Sequence, residues 1–443
     1  MSDAGSKNIV VVGAGFAGLR AALDLEVRLR ERKDYRIVVI DRRAHHLYTP
    51  LLYEVATGYF EKETAECEGL LKAGACMLLE RFPTIIAGHR IEFIPCDAVR
   101  VDHAKREVLC SDGSRTPYEH LVLAAGSVAD FPPIDGLREH AVAMKTIDDA
   151  LAIRRAVRDY VDRRRAGTEE RVTVMVCGAG ATGVELAGEL TRFMLQEVRR
   201  KHLVFGDFSI TLVEATGRVL GGFSPTVSRW ALDRLRRLGV KVMLDTCVKR
   251  VGRGEVVLAP RPLKEGEADS GLLCEFAPEK EKRYEADIIV WAGGVRAPKF
   301  LEESGFGVDR KGRVPVDATL RVKGEYTNIW ALGDCAALED PGTGQPLPGL
   351  ARHAFSQGKL VARNVAAATQ GTTFETFRIP PGGAVIPIGG KWAIVSLGPI
   401  MFYGWLGYLA RKIADLNYFL SILPFRQALV FWWRGARVYI KND

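Results

Sequence analysis

Two stretches of the chain carry the residue types needed to hold a pyrophosphate. NIVVVGAGFAGLRAALDL at 8–25 and VTVMVCGAGATGVELAGEL at 172–190 each run from a β-branched strand through GxGxxG into a helix-period segment. In such a turn Gly13 and Gly178 supply the tight bend, and Gly15 and Gly180 let the backbone approach a phosphate. Gly18 and Gly183 let the helix pack closely on the strand. The helix N-terminus then offers free N–H groups and the positive end of a dipole. One such match is a weak signal. Here a strand precedes and a helix follows both copies.

A second strand follows each copy and ends in an acid: Tyr35–Ile40 at Asp41, and Ser209–Val213 at Glu214. A carboxylate at that point accepts ribose hydroxyls and repels a 2′-phosphate, which favours FAD at one site and NADH over NADPH at the other. Arg218, four residues past Glu214, is the one feature that could tolerate NADPH. LVLAAGS (121–127) and IIVWAGGV (288–295) are apolar strands ending in small residues, as expected beside a dinucleotide. In NIWALGDCAAL (328–338), Gly333 is followed by Asp334, an acid that can hold the ribityl hydroxyls of a flavin. Two dinucleotide sites in one chain imply a redox relay from nicotinamide to flavin.

Positioning these groups needs more than one domain, and 443 residues suit two or three. A chain that is 47% hydrophobic and 26% charged is globular, which excludes disorder as the dominant state. Its 45 glycines against 20 prolines fit tight turns near ligands better than flexible linkers. The net charge of +8 suits an anionic partner and does not choose among a phosphate-bearing ligand, a nucleic acid and an acidic membrane surface. The eight cysteines (67, 76, 96, 110, 177, 247, 274 and 335) show no CxxC or finger-like spacing. This argues against a metal site, a disulfide scaffold and a local redox pair, and for a reducing compartment. The polar MSDAGSKN start lacks the features of a signal peptide.

The chain resembles the type II NADH dehydrogenases, single-subunit NADH:quinone oxidoreductases that do not pump protons, within the two-dinucleotide-binding-domain flavoproteins of the pyridine nucleotide-disulfide oxidoreductase superfamily. The marks are HHLYTPLLYEVATG (45–58), GVELAGEL (183–190), VLGGFSPTVSRWALDRLRRLGVKVML (219–244), WAGGV (291–295) and GDCA (333–336). The resemblance implies an α/β fold with two Rossmann-like domains: FAD on 1–140 and 296–385, NADH on 141–295, and a separate C-terminal module at 386–443. It implies that Phe16, Arg42, Thr49, Pro50, Ala125, Gly126, Gly293 and Gly294 join the residues above at the cofactors. Glu185, the family's GVE glutamate, is expected near the nicotinamide. Such enzymes usually carry an AQxxxQ helix facing the quinone. Here the stretch reads Ala351-Arg352-His353-Ala354-Phe355-Ser356-Gln357. Arg352 and Ser356 replace the two glutamines, and Gln357 is one residue off register. Arg352, His353 and Ser356 are therefore the acceptor-site candidates, and the run Pro380-Pro381-Gly382 is also changed.

Residues 386–443 hold 12 of the 38 aromatic residues and seven Lys/Arg against two Asp. At helical spacing Phe402, Trp405, Leu406, Leu409, Ile413 and Leu416 share a face, with Arg411, Lys412 and Asp415 elsewhere. A second helix is expected from Pro424, with Phe425, Ala428, Leu429, Trp432 and Trp433 as its apolar face. No run reaches the ~18 apolar residues that span a bilayer. The module reads as amphipathic helices on an anionic membrane surface, placing the protein peripherally on the cytoplasmic face of the cell membrane; the competing use is a homodimer interface. Nucleic acid is not an expected partner. The basic segment 154–171 reads as a solvated face, 261–283 as a surface hairpin, and His45 and His46 as structural. Two other functions use the same features: a sulfide:quinone oxidoreductase or disulfide reductase, which needs cysteines at the flavin, and a flavin redox sensor without turnover.

Overall fold

The computed structural model describes residues 7–57, 79–167, 171–200, 202, 204, 206–261, 280–340, 342, 344, 346–380 and 382–442. They fall into two compact units.

The first unit comprises the described parts of Met1–Leu47, Leu79–Val128 and Val295–Pro381. Its centre is a five-stranded sheet in the order Ile329–Ala331, His120–Leu123, Lys7–Val12, Tyr35–Asp41, Ile91–Pro95, and every pairing is parallel. Parallel strands are covered on both faces, so they read as continuous apolar runs: Ile9, Val10 and Val11 are fully buried. The glycine-rich turn leads into the helix Phe16–Arg28, which buries Leu19, Ala21, Ala22 and Leu25. Helix Ala351–Gln370 lies against it. Gly358 makes that approach possible, because a Cβ there would come 2.5 Å from the Ala17 carbonyl oxygen.

The second unit comprises the described parts of Tyr48–Leu78, Ala129–Gly294 and Gly382–Asp443. It repeats the plan with a parallel sheet ordered Val142–Ala143, Ile288–Trp291, Val172–Cys177, Phe208–Val213, Lys241–Met243. An antiparallel sheet of Thr246–Gly252, Glu255–Pro260 and Lys282–Glu285 packs its apolar side beneath. Helix Ile147–Arg165 starts at a capping box between Thr146 and Asp149. Sequence reading made its basic residues a solvated face, but Arg154 is only 3% exposed and Arg164 pairs with Asp207 at 2.8 Å. Most of the expected 261–283 hairpin lies outside the described residues.

The C-terminal segment forms a three-stranded antiparallel sheet, Ala384–Pro387, Ala393–Leu397 and Ile400–Gly404, then helices Trp405–Ile422 and Phe425–Asn442. Gly407 lets the first helix sit on the sheet, since a Cβ there would lie 2.1 Å from the Ala393 carbonyl oxygen. That helix exposes its apolar side: Trp405, Leu406 and Ile413 are 59–61% exposed. Its other side, carrying Arg411, Lys412 and Asp415, is the buried one. Packing also divides the second helix's expected apolar face, with Ala428 buried and Phe425 and Trp433 exposed. No helix among the described residues is long and apolar enough to cross a membrane.

The cysteine reading needs correction, since Cys96, Cys110 and Cys247 are all disulfide-bonded. Cys96 and Cys110, fourteen residues apart, are joined as a disulfide. Spacing motifs miss such a pair because it is set by strand pairing: Cys110 lies opposite Ala98 in an antiparallel register.

Candidate functional site

The two glycine-rich turns are nearly identical in geometry. Gly13 has φ +105° and Gly178 φ +108°, a region that side chains strain to enter. A Cβ on Gly18 would lie 1.8 Å from the Gly13 carbonyl oxygen, and one on Gly183 would lie 1.9 Å from that of Gly178. A Cβ on Gly15 or Gly180, by contrast, would meet nothing within 4 Å. Neither helix has a side-chain cap on its first N–H groups. Open space above uncapped donors is what a pyrophosphate needs, and the residues of both turns fit a dinucleotide.

The two acids do a further job that sequence did not reveal. Asp41 accepts the Ala14 N–H at 2.7 Å and the Arg43 N–H at 2.8 Å. Glu214 accepts the Ala179 N–H at 2.6 Å and the Thr216 N–H at 2.9 Å. Each carboxylate thus ties the second strand to the glycine-rich turn and fixes the edge where a ribose would lie. Arg42 is exposed, and Phe16 stands edge-on to the His46 ring at 5.5 Å. His46 is buried, its Nδ1 3.0 Å from the Ala14 carbonyl oxygen, and burial pushes its pKa down. Such a histidine shapes the turn from behind.

Asp334 accepts from Ser127 Oγ at 2.6 Å, and Gly349 leaves room for it, since a Cβ there would lie 2.7 Å from the carboxylate. Gln357, the off-register glutamine, is buried and accepts the Gly333 N–H at 2.7 Å, so it holds the segment that presents Asp334. Gly126 has φ +66°, and the backbone of Ala125 and Gly126 approaches the Cys335 thiol. Burial pushes that thiol up to about 11.

The acceptor candidates separate around helix Ala351–Gln370. Arg352 is half-buried in its first turn. His353 is 4% exposed, with Nδ1 3.1 Å from the Pro348 carbonyl oxygen. Burial and the Arg352 charge lower its pKa, which keeps the ring neutral and leaves Nε2 as an acceptor. Ser356 instead lines a groove with Lys359, Arg363, Phe374 and Glu375, so the structure does not group it with the buried His353.

In the second unit, Gly293 is held against Trp291, whose indole N–H donates to the Asp130 carbonyl at 2.7 Å, and Gly294 accepts the Asp130 N–H at 3.0 Å. Thr49 and Pro50 belong to this unit, and the Pro50 carbonyl accepts from Arg411 at 2.8 Å. Glu185 sits on the first turns of the helix after Gly180. Burial, reinforced by Glu189 and opposed by Arg411, pushes its carboxyl up to about 8.

Two parallel sheets, each with an open glycine-rich turn and an acid on the next strand, define an oxidoreductase architecture with two dinucleotide sites. Residues 7–358 match the family described as pyridine nucleotide-disulphide oxidoreductase, and the chain belongs to that family. It is 29% identical over 441 residues to a type II NADH:quinone oxidoreductase of Mycobacterium tuberculosis, covering 96% of this chain and 87% of the relative. A Staphylococcus aureus enzyme of the same name is 28% identical over 412 residues, covering 92% and 94%. The fold is shared with NDH2 from Plasmodium falciparum in complex with NADH, at a TM-score of 0.80, 17% identity and coverage of 99% and 98%. It is also shared with the sulfide:quinone oxidoreductase of Aquifex aeolicus, at a TM-score of 0.72, 17% identity and coverage of 94% and 91%.

Proposed function

We infer that this protein is an FAD-dependent NADH:quinone oxidoreductase that does not pump protons. The observation that carries the reading is the duplicated turn, open at Gly15 and at Gly180, with Asp41 and Glu214 at the two ribose edges. FAD is assigned to the first unit and NADH to the second. When bound, FAD supplies the chemistry, accepting a hydride from NADH and returning two electrons to the acceptor. The protein binds and orients. Gly13, Gly15, Phe16, Gly18, Asp41, Arg42, Ala125, Gly126, Gly333 and Asp334 serve the flavin. Gly178, Gly180, Gly183, Glu185, Glu214, Gly293 and Gly294 serve the nicotinamide nucleotide. Arg352 and His353 are assigned to the acceptor, as a fixed cation and a neutral acceptor nitrogen, and Ser356 to its margin.

Cysteine chemistry at Cys335 is disfavoured as an alternative. Cys335 is fully buried, and its Sγ is engaged by the Leu123 and Leu332 carbonyls at 3.4 and 3.3 Å. A thiol held up at about 11 is a poor nucleophile at neutral pH. NADH consumption against a panel of quinones tests the function, and activity with sulfide but not NADH would replace it.

Glu214 sets nucleotide choice, because a 2′-phosphate beside it would place like charges together. Turnover with NADH is expected to exceed that with NADPH by about 100-fold in kcat/KM. Glu214→Ala narrows the ratio and retains flavin; equal efficiency in the parent protein would remove the assignment.

The exposed apolar side of helix Trp405–Ile422 is assigned to the cytoplasmic membrane surface, with the basic residues of 386–443 attracting anionic lipid. Changing Trp405, Leu406, Leu409 and Ile413 together to serine should release the protein from anionic liposomes while NADH oxidation by ferricyanide persists. Liposome binding that survives these changes would place contact elsewhere.

A further inference from the structure

Strand Phe208–Val213 runs into the segment 214–220, which the second unit fastens from two sides. On one side the Glu214 N–H donates to the Met243 carbonyl at 2.8 Å, the Thr246 N–H to the Glu214 carbonyl at 2.9 Å, and the Asp245 N–H to the Thr216 carbonyl at 3.0 Å. On the other, Ala179 of the glycine-rich turn gives its N–H to the Glu214 carboxylate, and its carbonyl accepts the Leu220 N–H at 2.8 Å. Asp245 and Leu220 are two of the four non-glycine residues with positive φ among the described residues, at +49° and +53°. That conformation crowds a Cβ and persists where the surrounding structure over-determines it, which happens most at ligand sites. Both residues hold the same segment.

Within it, Thr216 Oγ1 lies 2.9 Å from Glu214 Oε1 and 3.2 Å from the Arg218 carbonyl oxygen. Its single proton goes to the nearer, charged acceptor. The first copy of the turn shows why a hydroxyl is needed there. Asp41 and Glu214 each accept one N–H from the glycine-rich turn and one from the residue two positions further on, Arg43 or Thr216. Glu214 is one methylene longer, so the same two bonds leave its carboxylate an extra torsion. The Thr216 hydroxyl removes that freedom, whereas Arg43 has no hydroxyl to give. Arg218, whose charge could admit a 2′-phosphate, is turned elsewhere: its guanidinium donates to the Gly221 carbonyl.

We propose that Thr216 is a positioning residue for nucleotide choice, its hydroxyl fixing the Glu214 carboxylate against the adenosine ribose. The inference rests on the assignment of Glu214 made above. A carboxylate held by three donors keeps lone pairs for ribose hydroxyls, and it cannot turn aside from a 2′-phosphate. Without the third donor it loses part of its hold on the ribose and part of its repulsion of the phosphate.

Steady-state oxidation of NADH, NADPH and reduced nicotinamide mononucleotide by ferricyanide, on purified flavin-loaded protein, tests the role. The mononucleotide carries the reacting ring but no adenosine, so it reports any disturbance that does not act through the adenosine ribose. Thr216→Val keeps the shape and removes the hydroxyl. It should raise KM for NADH about 10-fold, narrow the NADH to NADPH ratio of kcat/KM at least as much, and leave kcat and mononucleotide turnover within about twofold. Thr216→Ser should restore the parent values. If Thr216→Val fails to fold, Thr216→Ala takes its place with the same expectation. An unchanged KM for NADH, a parallel loss with the mononucleotide, or a Thr216→Ser variant that behaves like Thr216→Val overturns the role. Should Glu214→Ala leave the ratio at the parent value, the assignment of Glu214 itself fails; should it narrow the ratio while Thr216→Val does not, only the role of Thr216 fails.

Discussion

Gly183→Ala is expected to abolish NADH oxidation while the protein keeps its FAD. The added Cβ would sit 1.9 Å from the Gly178 carbonyl oxygen and 3.1 Å from its carbon. Both are backbone atoms, so relief requires the helix to move off the strand and carry its N–H groups with it. A displacement near 1 Å at a binding site costs about 100-fold in rate. Flavin reduction should slow by at least that much. The turn assigned to FAD lies in the other unit and is untouched. Gly180→Ala separates binding from folding. Gly180 has φ −66° and open space where its Cβ would be, so the thermal midpoint should hold while KM for NADH rises steeply. If Gly180→Ala binds NADH normally, the pyrophosphate does not cross this turn.

Arg411→Ala is expected to have the largest effect on stability. Asp415 is 2% exposed and Arg411 8%, with the guanidinium shared between that carboxylate and the Pro50 carbonyl. Removing one member of such a pair leaves a buried charge uncompensated and costs about 3–5 kcal/mol. Arg411→Met with Asp415→Leu removes both charges and should recover most of the loss. Chemical denaturation followed by circular dichroism measures both variants. A loss below about 1 kcal/mol for Arg411→Ala would mean the pair is solvated, as surface ion pairs are. The same packing argues against removing 399–443 as a membrane test. The cut would strip Arg411 and Asp415 from Pro50 and Tyr48, so failure would report folding rather than attachment.

What could be read from sequence follows from how local each requirement is. The roles of Gly13, Gly18, Gly178 and Gly183 were legible because a positive φ or a contact five residues away leaves few residue choices. Asp41 and Glu214 were legible as strand-end acids, but their bonds to Ala14 and Ala179 depend on how two strands lie side by side. The C-terminal helix shows the limit most clearly. Periodicity separated Trp405, Leu406 and Ile413 from Arg411, Lys412 and Asp415 correctly. It could not say which side faces the protein, because that depends on Tyr48, Pro50 and Glu54, more than 350 residues away. An Arg and an Asp four apart in an aromatic-rich helix were the available signal. The part Gln357 plays was hidden for a related reason: counted along the motif it stands one residue off register, and only the folded helix brings it to the Gly333 N–H.

The central claim is that one chain passes electrons from NADH through a bound flavin to a quinone. Anaerobic double-mixing spectroscopy of the purified protein tests it most directly, with NADH added first and quinone second. The visible flavin band should bleach on the first mix with NADH and far more slowly with NADPH, then return on the second mix. A band that NADH does not bleach, or one that quinone does not restore once bleached, would contradict the account.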